Sequence, residues 1–239
     1  MFAYYMVFRA NKWRREYIIH FSEWIRGKGT SVNNSWNRLV YKCWSPIYDR
    51  FFNSGMFLKA RKEIFKDITL EKGSKILFVG VGTGADISYF LNKGYDITAI
   101  DFSADMLKVA KDKFHDSSIL FLEMDAQKME FVDKSFDFIV ASLILSVVPE
   151  PEETFSEIVR VLKENGRFLI FDKFVPKNKE IKMKQKFLRP IVKLLGTDIG
   201  LDFYDVYKVV ENQCHLLQEE NVMLNGMYRK IIGSKKGET

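Results

Sequence analysis

"KILFVGVGTGAD", residues 75 to 86, decides the fold. Its apolar run from Ile76 to Val79 has the length of a buried strand, and Gly80, Gly82 and Gly84 follow at alternate positions. Without Cβ atoms, glycines so placed allow a tight turn from strand into helix and bring bare backbone close to a ligand. The spacing also satisfies the dinucleotide fingerprint G-x-G-x-x-G/A with Ala85 as its last position, so a nicotinamide remains open at this point. Phe78 stands two residues before the first glycine, where many nucleoside-binding chains carry an acid.

Outward from this loop, short apolar runs alternate with helical patterns, the signature of parallel strands joined by crossover helices. Strands are expected at 75–79, 96–100, 118–123, 136–143 and 167–174. Helices are expected from Ala85 to Lys93 with Gly94 as C-terminal stop, from Ser103 as N-cap through Phe114, and over 152–164 before Asn165 and Gly166. "DFYDVYKVVENQ" reads as another helix, and "LLQEENVM" with "YRKIIGSK" as a closing antiparallel pair at one sheet edge. The fold class is α/β: a Rossmann-like, mostly parallel sheet with helices on both faces. Residues 1–70 read as an N-terminal helical extension or lid, 71–239 as the ligand-binding domain, and 177–195 as a basic helical insertion broken at Pro190.

Two carboxylates fall where such a fold binds a nucleoside. Asp101 ends the second strand 17 residues past Gly84, where it can accept from both ribose hydroxyls, since Ser103 is already available to cap the next helix. Asp125 follows the third strand at the height of an adenine edge: its carboxylate can accept from an exocyclic amine, and Ala126 offers a backbone N–H. An ordinary surface turn is the alternative for this pair.

"ILFVGVGTG", "AIDFSADML", "MDAQKMEFVDKSFDFIV" and "IVRVLKENGRFLIFDKF" resemble the successive motifs of class I S-adenosylmethionine-dependent methyltransferases over about residues 45 to 175. Within that superfamily, "VGVGTG" with "LILSVVPEPEETFSEIVRVLKENG" is most similar to bacterial phospholipid N-methyltransferases acting on phosphatidylethanolamine, and next to quinone C-methyltransferases. The resemblance implies S-adenosylmethionine as cofactor, held by Gly80, Val81, Gly82, Thr83 and Gly84, by Asp101 on the ribose, by Met106 or Phe102 on the adenine, by Asp125 and Ala126 on its edge, and by Ser142. It also implies that the segment with Tyr48 and Asp49 closes over the cofactor, which makes Tyr48 a binding and catalytic candidate. Phe78 departs from the family acid. Asp86 is a substitute source of charge, and Phe78→Asp is expected to leave cofactor affinity within about tenfold, roughly 1.4 kcal/mol.

Composition bounds the partners. A 47% hydrophobic chain of 239 residues is globular, and no apolar run reaches the roughly 18 residues of a membrane span. Cys43 and Cys214 lack metal-site spacing, so no metal is expected, and His115 beside Asp116 reads as solvated surface. Residues 1–72 hold 14 basic and 6 acidic side chains (+8), 73–172 hold 10 and 17 (−7), and 173–239 hold 13 and 8 (+5). The first flank interleaves Trp13, Trp24, Phe8 and Phe21 with Arg9, Lys12, Arg14, Arg15 and Arg26, a composition suited to an anionic membrane surface, with a folded lid as the alternative. The expectation is a cytoplasmic enzyme, peripheral at the inner membrane face, with a lipid or other small-molecule acceptor. Nucleic acid is not expected, because neither an N-P-P-Y clamp nor an RNA-binding module is present. A nicotinamide oxidoreductase and a non-catalytic cofactor-binding module stay as the other readings.

Overall fold

Seven strands form one sheet in the order β3-β2-β1-β4-β5-β7-β6. The computed structural model describes residues 55–176 and 200–237; Tyr48, the aromatic basic flank and the 177–195 insertion lie outside them. The elements are α1 (Gly55–Phe65), β1 (Lys75–Val79), a 3-10 turn (Ile87–Tyr89), β2 (Asp96–Asp101), α2 (Ala104–Lys113), β3 (Leu120–Glu123) and β4 (Phe136–Ser142). Then follow α3 (Pro151–Val161), β5 (Leu162–Lys173), α4 (Phe203–Tyr207), a second 3-10 turn (Lys208–Val210), β6 (Cys214–Met223) and β7 (Tyr228–Lys235). β1 pairs in parallel with β2 and β4, and β7 runs antiparallel to both β5 and β6. The order therefore reverses between β1 and β4, and the crevice at the carboxyl ends of those strands is where such sheets bind ligands.

Alternation along the strands divides the core into two layers. Leu77, Val79, Ile139, Ala141, Phe168 and Ile170 point to one face, where Phe155, Ile158 and Val159 of α3 and Phe203 and Val206 of α4 cover them. Ile76, Phe78, Phe138, Val140, Leu169 and Phe171 point to the other, under Phe57, Ala60, Ile64 and Phe65 of α1 and the 3-10 segment with Ile87 and Phe90. Helix chemistry follows the sequence. Ser103 caps α2 by accepting from the Met106 N–H at 3.3 Å, and α3 starts on Pro151 with Glu152 and Glu153 in its first turn, where the helix dipole favours negative charge.

Three elements differ from expectation. The crossover after Gly84 is a chain of i→i+3 turns rather than a helix: Ile87, Tyr89 and Phe90 donate to the carbonyls of Gly84, Asp86 and Ile87 at 3.2, 3.2 and 2.9 Å. Ile87 and Phe90 thereby superpose, as i and i+3 do in 3-10 geometry, and both go into the core. α3 stops at Val161, three residues short, because its last carbonyls find other donors. Lys134 and Ser135 donate their N–H groups to the carbonyls of Arg160 and Val161, and Lys235 Nζ donates to Val159 at 2.9 Å and Leu162 at 3.0 Å. Leu162 is then free to turn extended and pair with Phe136. The region after Asp202 gives a five-residue helix and a 3-10 turn instead of one longer helix.

Candidate functional site

The glycine loop leaves β1 at the switch point, and its three glycines solve three different problems. All sit at positive φ (67°, 56° and 81°). A Cβ on Gly80 would fall 2.5 Å from Ile144 Cδ1, in the loop after β4, and one on Gly84 would fall 2.6 Å from the Phe114 ring at the end of α2. At Gly82 nothing lies within 4 Å. Gly80 and Gly84 thus allow close packing on either side, while Gly82 turns its bare backbone to open space.

The loop is tethered by side chains from three elements. Gly82 donates its N–H to Asp101 Oδ2 at 2.7 Å, and the other oxygen of Asp101 accepts the Ser103 N–H at 2.8 Å. Lys113 Nζ of α2 donates to the Thr83 carbonyl at 3.1 Å. Arg61 Nε of α1 donates to Asp86 Oδ1 at 2.6 Å, with both residues buried. The Val81 N–H goes to the Ile100 carbonyl at 2.9 Å, so the β1–β2 pairing continues one residue into the loop.

Asp101 is half-buried, and loss of hydration pushes its carboxyl up to about 6, against the two backbone N–H groups that favour the ionised form. Asp125 accepts the Gln127 N–H at 2.9 Å and its side-chain amide at 3.0 Å, closing the turn after β3. Ala126 is buried in the first core layer. Met106 is 2% exposed, Thr83 is buried and Phe102 is half-buried. Ser142, at the end of β4, carries a buried hydroxyl with no hydrogen-bond partner. The structure therefore brings the glycine loop, Asp101, Phe102, Met106, Asp125, Ala126 and Ser142 to the carboxyl edge of the sheet. Phe78 lies below that edge, 2% exposed, its ring edge-on to Phe90 at 5.3 Å.

Comparison with known proteins fits this arrangement. Residues 77–170 match the family model described as a methyltransferase domain. The chain is 32% identical to a phosphatidylethanolamine N-methyltransferase of Cereibacter sphaeroides over 160 residues, 65% of this chain and 77% of that protein. The chain belongs to the S-adenosylmethionine-dependent methyltransferases. It is also 33% identical to a demethylmenaquinone methyltransferase of Renibacterium salmoninarum, over 53% of this chain and 54% of the relative, so it spans about half the length of that protein. A solved structure of an S-adenosylmethionine-dependent methyltransferase from Methanosarcina mazei superposes with a TM-score of 0.57 at 21% identity, covering 71% of this chain and 95% of the other.

Several features of the methyltransferase site were not visible in its sequence. Asp86, expected as a substitute source of charge at the loop, is buried and paired with Arg61. Asp172, fully buried near the end of β5, accepts the Ser146 N–H at 3.2 Å and so pins the loop whose Ile144 covers Gly80; burial raises its carboxyl above the ordinary value. Partners 25 and 26 residues apart leave no local pattern. His115 lies at the exposed surface beside Asp116, as expected. Among the described residues no cluster of three or more His, Cys, Asp or Glu is placed to hold a metal, and no helix is long and apolar enough to cross a membrane.

The titration of Asp101 gives a first prediction. Only the ionised carboxylate accepts at both oxygens, so affinity for S-adenosylhomocysteine is expected to fall as pH drops through about 6, reaching about tenfold weaker at pH 5. Stability moves the other way. The folded-state value lies above the ordinary 3.8, so this group's contribution favours the folded chain more as pH falls from about 6 toward 3.8. Calorimetric titration from pH 5 to 8 checks the affinity, and flat binding across that range would contradict the assignment.

Proposed function

We propose that this methyltransferase methylates the amine of a lipid, or of a similarly amphipathic acceptor, at an anionic membrane surface. The observation that carries the reading is the match to the phosphatidylethanolamine enzyme, which extends over 77% of that protein's length. The basic and aromatic flank agrees with it. A quinone-like acceptor is the second reading, favoured by the likeness to demethylmenaquinone methyltransferases.

The residues present fit S-adenosylmethionine. Gly82 leaves open space beside its backbone, Ser142 has a hydroxyl in need of a partner, and each Asp101 oxygen retains accepting capacity beyond its one N–H. In this reading Gly80, Val81, Gly82, Thr83 and Gly84 shape the floor under the cofactor. Asp101 accepts the ribose hydroxyls, Met106 or Phe102 packs on the adenine, and Asp125 with Ala126 meets its edge. The cofactor supplies a methyl group activated on a sulfonium. The chain itself has to align the acceptor's lone pair with that methyl and exclude water, which is where positioning contributes most. The candidates to receive an ammonium proton are Asp49, His20 and, as its phenolate, Tyr48.

The test is transfer of labelled methyl by the full chain to phosphatidylethanolamine in vesicles containing phosphatidylglycerol, run beside a demethylated quinone. Label in the lipid, with co-sedimentation on those vesicles, is the expected result. An inert lipid fraction beside a labelled quinone would replace the first reading by the second.

A further inference from the structure

We propose that Arg61 and Asp86 are a positioning pair for the cofactor, a buried ion pair through which α1 keeps the glycine loop in its binding shape. The inference rests on S-adenosylmethionine as the ligand of that loop and concerns residues that do not touch it.

The first ground is where the pair sits. Asp86 lies two residues past Gly84, at the exit of the loop, and Arg61 lies on α1, 25 residues earlier. Their atoms meet at 2.6 Å with the residues 8% and 4% exposed. An acid at this place in a turn ordinarily accepts from the N–H groups that follow it. Asp86 makes no such bond: it precedes the 3-10 turn with no side-chain cap, and its carboxylate goes to α1 instead.

The second ground is that stability does not require an ion pair here. The neighbouring core of Ile64, Phe65, Ile87 and Phe90 is apolar. An apolar pair of similar volume in such a place is commonly as stabilising as a buried salt bridge, or more so. What a guanidinium–carboxylate contact adds is a fixed direction.

The third ground is the loop itself. Three alternate residues at positive φ are costly to order, because glycine loses the most conformational freedom on folding. Asp101 restrains its middle at Gly82, and Lys113 restrains Thr83. Arg61 restrains the exit. With the exit released, each binding event would carry the cost of ordering the loop, and affinity would fall without any contact to the ligand being lost.

The experiment compares the folded full chain with Asp86→Asn, Arg61→Lys, Arg61→Met and the double variant Arg61→Met/Asp86→Leu. Each is measured for S-adenosylhomocysteine affinity by calorimetry and for Tm. Asp86→Asn and Arg61→Met are expected to weaken binding by about tenfold or more, and Arg61→Lys to recover part of that loss. The double variant is expected to regain a Tm near that of the wild type while its binding stays weak, a split that a purely structural staple would not produce. Wild-type affinity in the double variant would overturn the proposal, as would unchanged affinity in both Asp86→Asn and Arg61→Lys. Those two variants decide the matter if the double variant does not fold. A wild-type chain without affinity for S-adenosylhomocysteine would overturn the cofactor reading and the pair's role together, and the wild-type control separates that outcome from the others.

Discussion

Phe78→Asp is expected to abolish cooperative folding rather than to adjust cofactor binding. Phe78 lies between Ala99 and Val140 in register, is 2% exposed and meets Phe90 edge-on at 5.3 Å. Phe90 in turn contacts Phe65, Tyr95 and Phe138. Emptying a phenylalanine site of this kind costs about 3–5 kcal/mol, and a carboxylate without a partner adds several more. Against a typical total of about 5–15 kcal/mol, little remains. The expectation of unchanged affinity within tenfold is therefore replaced by a prior effect on the core. Phe78→Leu, which keeps the site apolar, is expected to cost about 1–3 kcal/mol and to bind S-adenosylhomocysteine as the wild type does. Thermal unfolding followed by near-ultraviolet circular dichroism checks both, and a Phe78→Asp chain melting within a few degrees of wild type would refute the argument.

The second large effect is expected at Asp101. In Asp101→Ala the Gly82 and Ser103 N–H groups both lose their side-chain acceptor, and a bound ribose loses its carboxylate. Hydrogen bonds to charged groups contribute about 1.5–3 kcal/mol each, so losing two of them weakens S-adenosylhomocysteine binding by about 100-fold or more. Stability at pH 7.5 is expected to change little, because relief of the desolvated carboxylate offsets the two N–H groups left without their acceptor. Calorimetry and thermal melts on the same preparations give both numbers. Binding within threefold of wild type would remove Asp101 from the site.

The strands and their site-bearing ends were legible because they depend on local pattern. An apolar run such as Ile76–Val79, ended by alternate glycines, permits few other structures, and the strand-closing position of Asp101 follows from counting. The closing pair at 214–223 and 228–235 was legible for the same reason, as two alternating runs around a turn. The crossover after Gly84 was misread because Ile87, Phe90 and Leu91 suit a helix as well as they suit 3-10 turns. The distant pair of Arg61 with Asp86 and the aromatic bed of Phe90 select the turns. The end of α3 was misplaced because the group that satisfies its carbonyls, Lys235, comes 76 residues after Val159. The fate of Phe78 belongs to the same class: its identity is local, but the rings around it come from α1, β4 and the crossover.

The antiparallel strand β7 has a bearing on how the chain is made. It follows β6 in sequence, yet it lies between β5 and β6, and Lys235 at its end satisfies the carbonyls of α3. A chain still on the ribosome can align β1 to β5 in parallel, but the outer flank of β5 stays open until Tyr228–Lys235 has cleared the exit tunnel. Closure of the sheet thus waits for its most distant segment, and until then the growing polypeptide presents an unpaired β5 edge.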